Sequence, residues 1–145
     1  MNKLATSINQ SERLIKLGID TKTADMYYWC GGDLRIGGYR AMVKDFDIPA
    51  WSLAALLNTL TNYVCVDYVD SEGLLAARNF KVLVPVLSYD SSKKEWICKF
   101  DGDTEDSSFR NIKIMKVQKS DPVDAVYTML CTVIIALKSP DDSND

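Results

Sequence analysis

The stretch Ile48-Pro49-Ala50-Trp51-Ser52-Leu53-Ala54-Ala55-Leu56-Leu57 constrains this chain more than any other. Pro49 locks its own φ and holds the approach extended. Ser52 is a favourable N-cap, and Leu53, Leu56, Leu57 and Leu60 recur at helical spacing, which predicts a helix over 52–61. With Ser52 as cap, Trp51 stands at N′ and Leu56 at N4, the two positions of a hydrophobic staple. A Trp in that place sets the angle at which the helix leaves the core and brings a large apolar area with it. None of these signals needs a ligand.

Such a helix needs an apolar partner. The strongest candidate lies at 121–138. Asp121 reads as N-cap, Pro122 suits the first helical position, and Asp124 complements the positive end of the helix dipole. Val123, Val126, Tyr127, Leu130, Val133, Ile134 and Leu137 then hold 3–4 spacing, with Met129, Cys131 and Ile135 off that stripe, so burial on more than one side is expected. A third helix is expected over 8–17, where Ser7 and Gln10 have capping-box spacing. Gly18 suits a Schellman ending, with Ile19 reaching back to Leu14.

Strand signals fill the remainder. Met26–Cys30, Tyr63–Val69, Phe80–Tyr89, Lys94–Phe100 and Phe109–Val117 are rich in β-branched and aromatic residues. Leu74–Arg78 is too short to assign to helix or strand. Tyr89–Lys93 carries turn chemistry between two of these runs, and beyond it Trp96, Cys98 and Phe100 alternate with Glu95 and Lys99. Pro85 has no N–H for a ladder, so its strand belongs at an edge or carries a bulge. The whole reads as α+β: an antiparallel sheet of three to five strands, with the helices at 8–17, 52–61 and 121–138 packed mainly on one face. Residues 1–138 are expected to form one globular domain, and the polar, acidic 139–145 a disordered tail.

Composition excludes several classes of function. Apolar residues at 47% and charged residues at 26% are those of an ordinary globular protein. No apolar run approaches the roughly 20 residues that span a bilayer, and the N-terminus has no apolar signal region, so a cytoplasmic location without membrane contact is expected. Net charge is −3, about +1 over residues 1–62 and −4 over 63–145. That balance disfavours nucleic-acid binding through bulk charge and leaves only a small local patch open to it. The chain has no histidine, which excludes Ser-His-Asp and Cys-His catalysis within one chain. Cys30, Cys65, Cys98 and Cys131 are spaced 35, 33 and 33 apart, but their contexts differ and none forms a CxxC pair. They read as buried free thiols, not as a repeat or a zinc site.

Two loops invite a ligand and fail the test. Gly31-Gly32-Asp33-Leu34-Arg35-Ile36-Gly37-Gly38 matches neither GxGxxG nor GxxxxGK[ST], and a hairpin is the expectation. Asp101–Asp106 is acidic, but Asp106 and Ile112 stand where a calcium loop of the EF-hand type needs Gly and Glu. No catalytic, cofactor or metal residues emerge. One cluster mixes cations with aromatics: Tyr27, Trp29, Arg35, Tyr39 and Arg40, with Tyr28 beside them. Such a set suits a partner-binding surface, or stacking on bases.

Thr23-Ala24-Asp25-Met26-Tyr27-Tyr28, the Ile48–Leu57 stretch, and Asp121-Pro122-Val123-Asp124-Ala125-Val126-Tyr127-Thr128-Met129-Leu130 occur in that order. Together they resemble a group of small uncharacterised proteins of gut Bacteroides and relatives, often in prophage or mobile-element surroundings. The resemblance implies no activity and carries over no site residue. The expected function is therefore a non-enzymatic interaction or accessory protein of phage or mobile-element origin, with a protein partner whose identity is unknown. A small nucleic-acid-associated protein using residues 27–40, and a histidine-free enzyme using Asp25 or Asp33 beside Tyr27, are the alternatives.

Overall fold

The structure, a computed structural model, describes residues 2–43, 45–69, 75–81, 83–102 and 107–138. The chain begins with helix α1 (Ile8–Lys16), whose capping box closes as expected: the Ser7 hydroxyl accepts the Gln10 N–H and the Gln10 side chain accepts the Ser7 N–H. Its end is a Schellman motif. Gly18 has φ +96°, its N–H donates to the Ile15 carbonyl, and the Ile19 N–H donates to the Leu14 carbonyl at 3.0 Å.

Strands β1 (Met26–Trp29), β2 (Asp33–Ile36) and β3 (Ile48–Ala50) make an antiparallel sheet in the order β2-β1-β3. The extended approach into the Trp51 helix is thus itself a strand. Helix α2 (Leu53–Tyr63) follows at once, capped by Ser52, whose hydroxyl accepts the Ala55 N–H at 3.2 Å. Trp51 and Leu56, the two staple positions, are both fully buried. The helix runs through Tyr63, so the next strand begins two residues later than its sequence suggests.

Strand β4 (Cys65–Val69) pairs antiparallel with β5 (Leu75–Lys81), and β6 (Val84–Asp90), β7 (Glu95–Asp101) and β8 (Lys116–Lys119) form a second three-stranded antiparallel sheet. The run Phe80–Tyr89, which reads as one strand, is two. Its first residues pair back onto β4 and its last pair forward onto β7. Of Leu74–Arg78, ambiguous in sequence, residues 75–78 belong to β5 and Leu74 lies outside the described residues. Pro85 lies in β6, an edge strand as its missing N–H requires. On β7, Cys98 and Phe100 are buried and Trp96 packs against the core, whereas Lys99 is exposed.

Phe109–Val117 is not a strand. It contains helix α3 (Ser107–Lys113) and the start of β8. The alternation through Ile112 and Ile114 is misleading, because Ile114 is 81% exposed, while Phe109 and Ile112, three apart, share the buried side of a helix. Helix α4 (Pro122–Lys138) closes the described chain, packing on α2, α3, β7 and β8. Its Val123, Val126, Met129, Leu130, Val133 and Ile134 are buried in one cluster with Leu56, Leu60, Trp51 and Leu14. Burial of so wide a face removes a large apolar area from water.

Both ends of α4 are fixed by residues far away in sequence. At its start, Asp121 accepts the Val123 N–H at 2.8 Å and the Lys3 N–H at 2.7 Å, and Asp124 accepts from the Lys3 ammonium and the Gln10 amide, each at 2.8 Å. At its end, the Lys138 ammonium donates to the Leu17 carbonyl, covering the C-terminus of α1. The fold is α+β, with strands divided among three antiparallel sheets and no helix of the described residues long and apolar enough to cross a membrane. Residues 70–73, 103–106 and 139–145, read as a turn, the acidic loop and the tail, lie outside the described residues.

Candidate partner-binding surface

The residues singled out by the sequence are carried by β1, β2 and the segment 37–47. A tight turn joins the strands: Gly31 donates to the Tyr28 carbonyl and Gly32 to the Trp29 carbonyl, with Cys30 and Gly31 both at positive φ. Strand alternation then sorts the side chains. Tyr27, Trp29, Asp33 and Arg35 occupy one face of the hairpin, and Tyr28, Leu34 and Ile36 the other.

On the first face the Arg35 guanidinium lies over the Trp29 ring, 4.0 Å from its centroid, and Trp29 is 46% exposed. Tyr27 is half-buried beside Gly37: a Cβ added to that glycine would stand 2.9 Å from the Tyr27 ring. On the opposite face Tyr28 is no part of the cluster. Its hydroxyl donates to the Thr6 carbonyl at 2.7 Å, and burial raises its pKa although Lys3 pulls the other way.

Beyond β2 the chain makes a 3₁₀ turn at Tyr39–Ala41 and returns to β3. Asp47 holds this return. One carboxylate oxygen accepts the Cys30 N–H and the other the Val43 N–H, both at 2.8 Å. The Val43 and Cys30 hydrogen bonds hold the Asp47 carboxyl below its ordinary pKa, burial works against them, and Arg35 adds to the lowering. Between this loop and the sheet opens a concavity of about 450 Å³, bordered by Thr21, Tyr39, Arg40, Met42, Asp45, Asp47 and Pro49. A wider recess of about 630 Å³ adjoins it at Tyr39 and Arg40 and is bordered also by Lys22, whose ammonium lies 5.9 Å from the Tyr39 ring centroid.

The structure therefore joins Trp29 to Arg35 by direct contact and sets Tyr39 and Arg40 on one concavity. Three apolar side chains that sequence reading passed over lie exposed on the same segment: Ile36, on the hairpin face opposite Trp29, and Val43 and Phe46 beyond it are 87%, 57% and 65% exposed. Their only sequence signal is a stretch, 36–46, in which apolar residues follow neither the period of a helix nor that of a strand. Lys22 and Asp47 were equally without local signal.

Of the carboxylates weighed for catalysis, Asp25 has a structural role. Both oxygens of Asp25 are engaged by Ser52, one by its N–H at 2.9 Å and the other by its hydroxyl. Asp25 thus fixes the cap of α2. Asp33 is exposed at the hairpin turn. Of the thiols, Cys98 and Cys131 are buried as expected, and burial pushes the Cys98 thiol up to about 12. Cys30 corrects that expectation, since it is exposed at the turn. Lying on a hairpin turn, a strand and a helix, Cys30, Cys98 and Cys131 mark no structural repeat. Comparison of the chain with family models, with curated proteins and with solved structures finds no match.

Proposed function

We infer that the chain is a non-enzymatic interaction protein whose partner, another protein, seats on the surface formed by β1, β2 and residues 37–47. The observation that carries this reading is the distribution of exposed apolar groups. Of eleven large hydrophobic side chains exposed among the described residues, five (Trp29, Ile36, Tyr39, Val43 and Phe46) fall within residues 29–46. Scattered exposed hydrophobics are ordinary, but a concentration in one short segment marks an interaction site. Aromatic and arginine side chains, here Trp29, Tyr39, Arg35 and Arg40, are the types that anchor protein interfaces. An accessory role in a phage or mobile element is the setting that the family resemblance suggests.

Nucleic-acid binding is the weaker reading. Arg35 already covers the Trp29 ring, and Asp33 and Asp45 stand exposed on the same segment. The experiment is site-specific photo-crosslinking in the cells that make the protein. A crosslinking residue at position 46 should capture one discrete protein, lost on Trp29→Ala, whereas the same residue at Tyr89, exposed on β6, should not. Identical captures from the two positions would remove the reading.

A further inference from the structure

We propose that two copies of this chain pair edge to edge through β2, forming a symmetric antiparallel dimer with Leu34 on its two-fold axis. The sheet order β2-β1-β3 leaves β2 at an edge, with no other strand beside it among the described residues. The outer side of β3 is different: the chain there meets residues 5 and 6, through the Ala5–Ser52 bridge and the Thr6 N–H donated to the Trp51 carbonyl.

Hydrogen-bond parity fixes which groups the open edge presents. The Gly37 N–H donates to the Asp25 carbonyl at 3.0 Å, in register with the β1–β2 ladder. Hydrogen-bonded and non-hydrogen-bonded pairs alternate along an antiparallel ladder. Residues 33, 35 and 37 therefore aim their backbone groups at β1, and Leu34 and Ile36 aim theirs outward. A second β2 must pair through Leu34 and Ile36, which allows three symmetric registers.

Charge selects one of them. With Leu34 opposite Leu34 of the second copy, Asp33 of each chain stands opposite Arg35 of the other, in a non-hydrogen-bonded pair where side chains approach most closely. Ile36 then stands opposite Gly32. With Leu34 opposite Ile36, the two Arg35 side chains confront each other. With Ile36 opposite Ile36, Arg35 meets only Gly37. The strand Asp33-Leu34-Arg35 is thus complementary to itself in a single register, and Arg35 is already held in place on Trp29. An edge charged with one sign protects against such pairing, whereas this edge carries opposite charges two residues apart. The dimer would make a continuous six-stranded sheet; it shares β2 and Arg35 with the partner surface but rests on the open edge and its charge pattern, not on that reading.

Sedimentation equilibrium from about 1 μM to about 1 mM tests the proposal. The wild-type chain should show a concentration-dependent monomer–dimer equilibrium. Asp33→Arg and Arg35→Asp should each dimerise about tenfold or more weakly. An equimolar mixture of the two should dimerise again, because each then meets the opposite charge, and the double swap in one chain should restore the homodimer. A wild-type chain monomeric at the highest concentration would overturn the proposal. So would single variants that dimerise as well as wild type, or a mixture that stays monomeric.

Discussion

Thr6 offers the sharpest test of what holds the Trp51 junction. It is fully buried, and its hydroxyl accepts the Trp51 N–H at 3.1 Å while lying 2.8 Å from the Ser11 hydroxyl. Thr6→Val keeps the shape and the β-branch but removes that oxygen. The Trp51 N–H, on a residue with no exposure, is then left without a partner, which costs about 1–3 kcal/mol. Ser11 can turn its hydroxyl to the Ser7 carbonyl one turn back, so it adds little. Thr6→Ser keeps the oxygen and deletes a methyl, a loss of about 1 kcal/mol. Urea unfolding should rank wild type above Thr6→Ser and Thr6→Ser above Thr6→Val. The valine variant should melt about 4–8 °C below wild type if the loss is about 2 kcal/mol, and the Trp51 amide should exchange faster. A valine variant as stable as wild type would refute the reasoning, since its extra apolar surface would then outweigh a hydrogen bond held here to be essential.

Gly37→Ala places a Cβ 2.9 Å from both the Tyr27 ring and the Ala41 side chain at a φ of +155°, and should cost about 1–3 kcal/mol in the same unfolding assay. Cys30 should alkylate in the folded protein while Cys98 reacts only after unfolding, read by peptide mass spectrometry, because Cys98 is buried and its thiol titrates at about 12. Asp124 is held below the ordinary carboxylate pKa: burial opposes this, but hydrogen bonds from Lys3 and Gln10 and the Lys3 charge prevail. Its contribution is therefore complete above the unfolded-state value of about 4 and lost as pH falls through the lower folded value. Lys3→Ala should flatten that acid limb of the stability profile.

The starts of α1, α2 and α4 and the end of α1 were legible because their signals are local. Ser7 with Gln10, Ser52 with Ala55, Gly18 with Ile15 and Asp121 with Val123 are all contacts within a turn, and each forms as its spacing implies. The buried seams of α2 and α4 follow from periodicity in the same way. Strand partnership was not legible, because a β-rich run does not say which neighbour it joins. Phe80–Tyr89 divides between two sheets for reasons that lie in β4 and β7, and Phe109 to Ile114 satisfies a strand pattern and a helix pattern at once until burial decides. In the candidate surface, residue types were readable but exposure was not. Tyr27 and Tyr28 are adjacent and alike in sequence, yet one lies under Gly37 on the Arg35 face and the other reaches Thr6 on the reverse. Asp25 looked like a free carboxylate because its partner, Ser52, is 27 residues away.

The division between core and surface runs through Trp51. Its backbone joins Thr6 in both directions, its indole N–H donates to the Thr23 hydroxyl at 2.9 Å, and Ser52, the next residue, is held by Asp25. Strand β3 therefore enters α2 without slack, and the β2-β1-β3 sheet is fixed to the α2–α4 core at its inner edge. In the loop beyond its outer edge Met42 packs on the buried cluster and Asp47 ties Val43 to Cys30, while Ile36, Val43 and Phe46 stand exposed and contribute nothing to that cluster. An apolar side chain exposed on a rigidly mounted hairpin loses little conformational freedom when it is covered, so more of its burial energy is available for binding. The Pro-Ala-Trp-Ser stretch thus serves the surface before it by making that surface stiff, and of its four residues Pro49 borders the concavity.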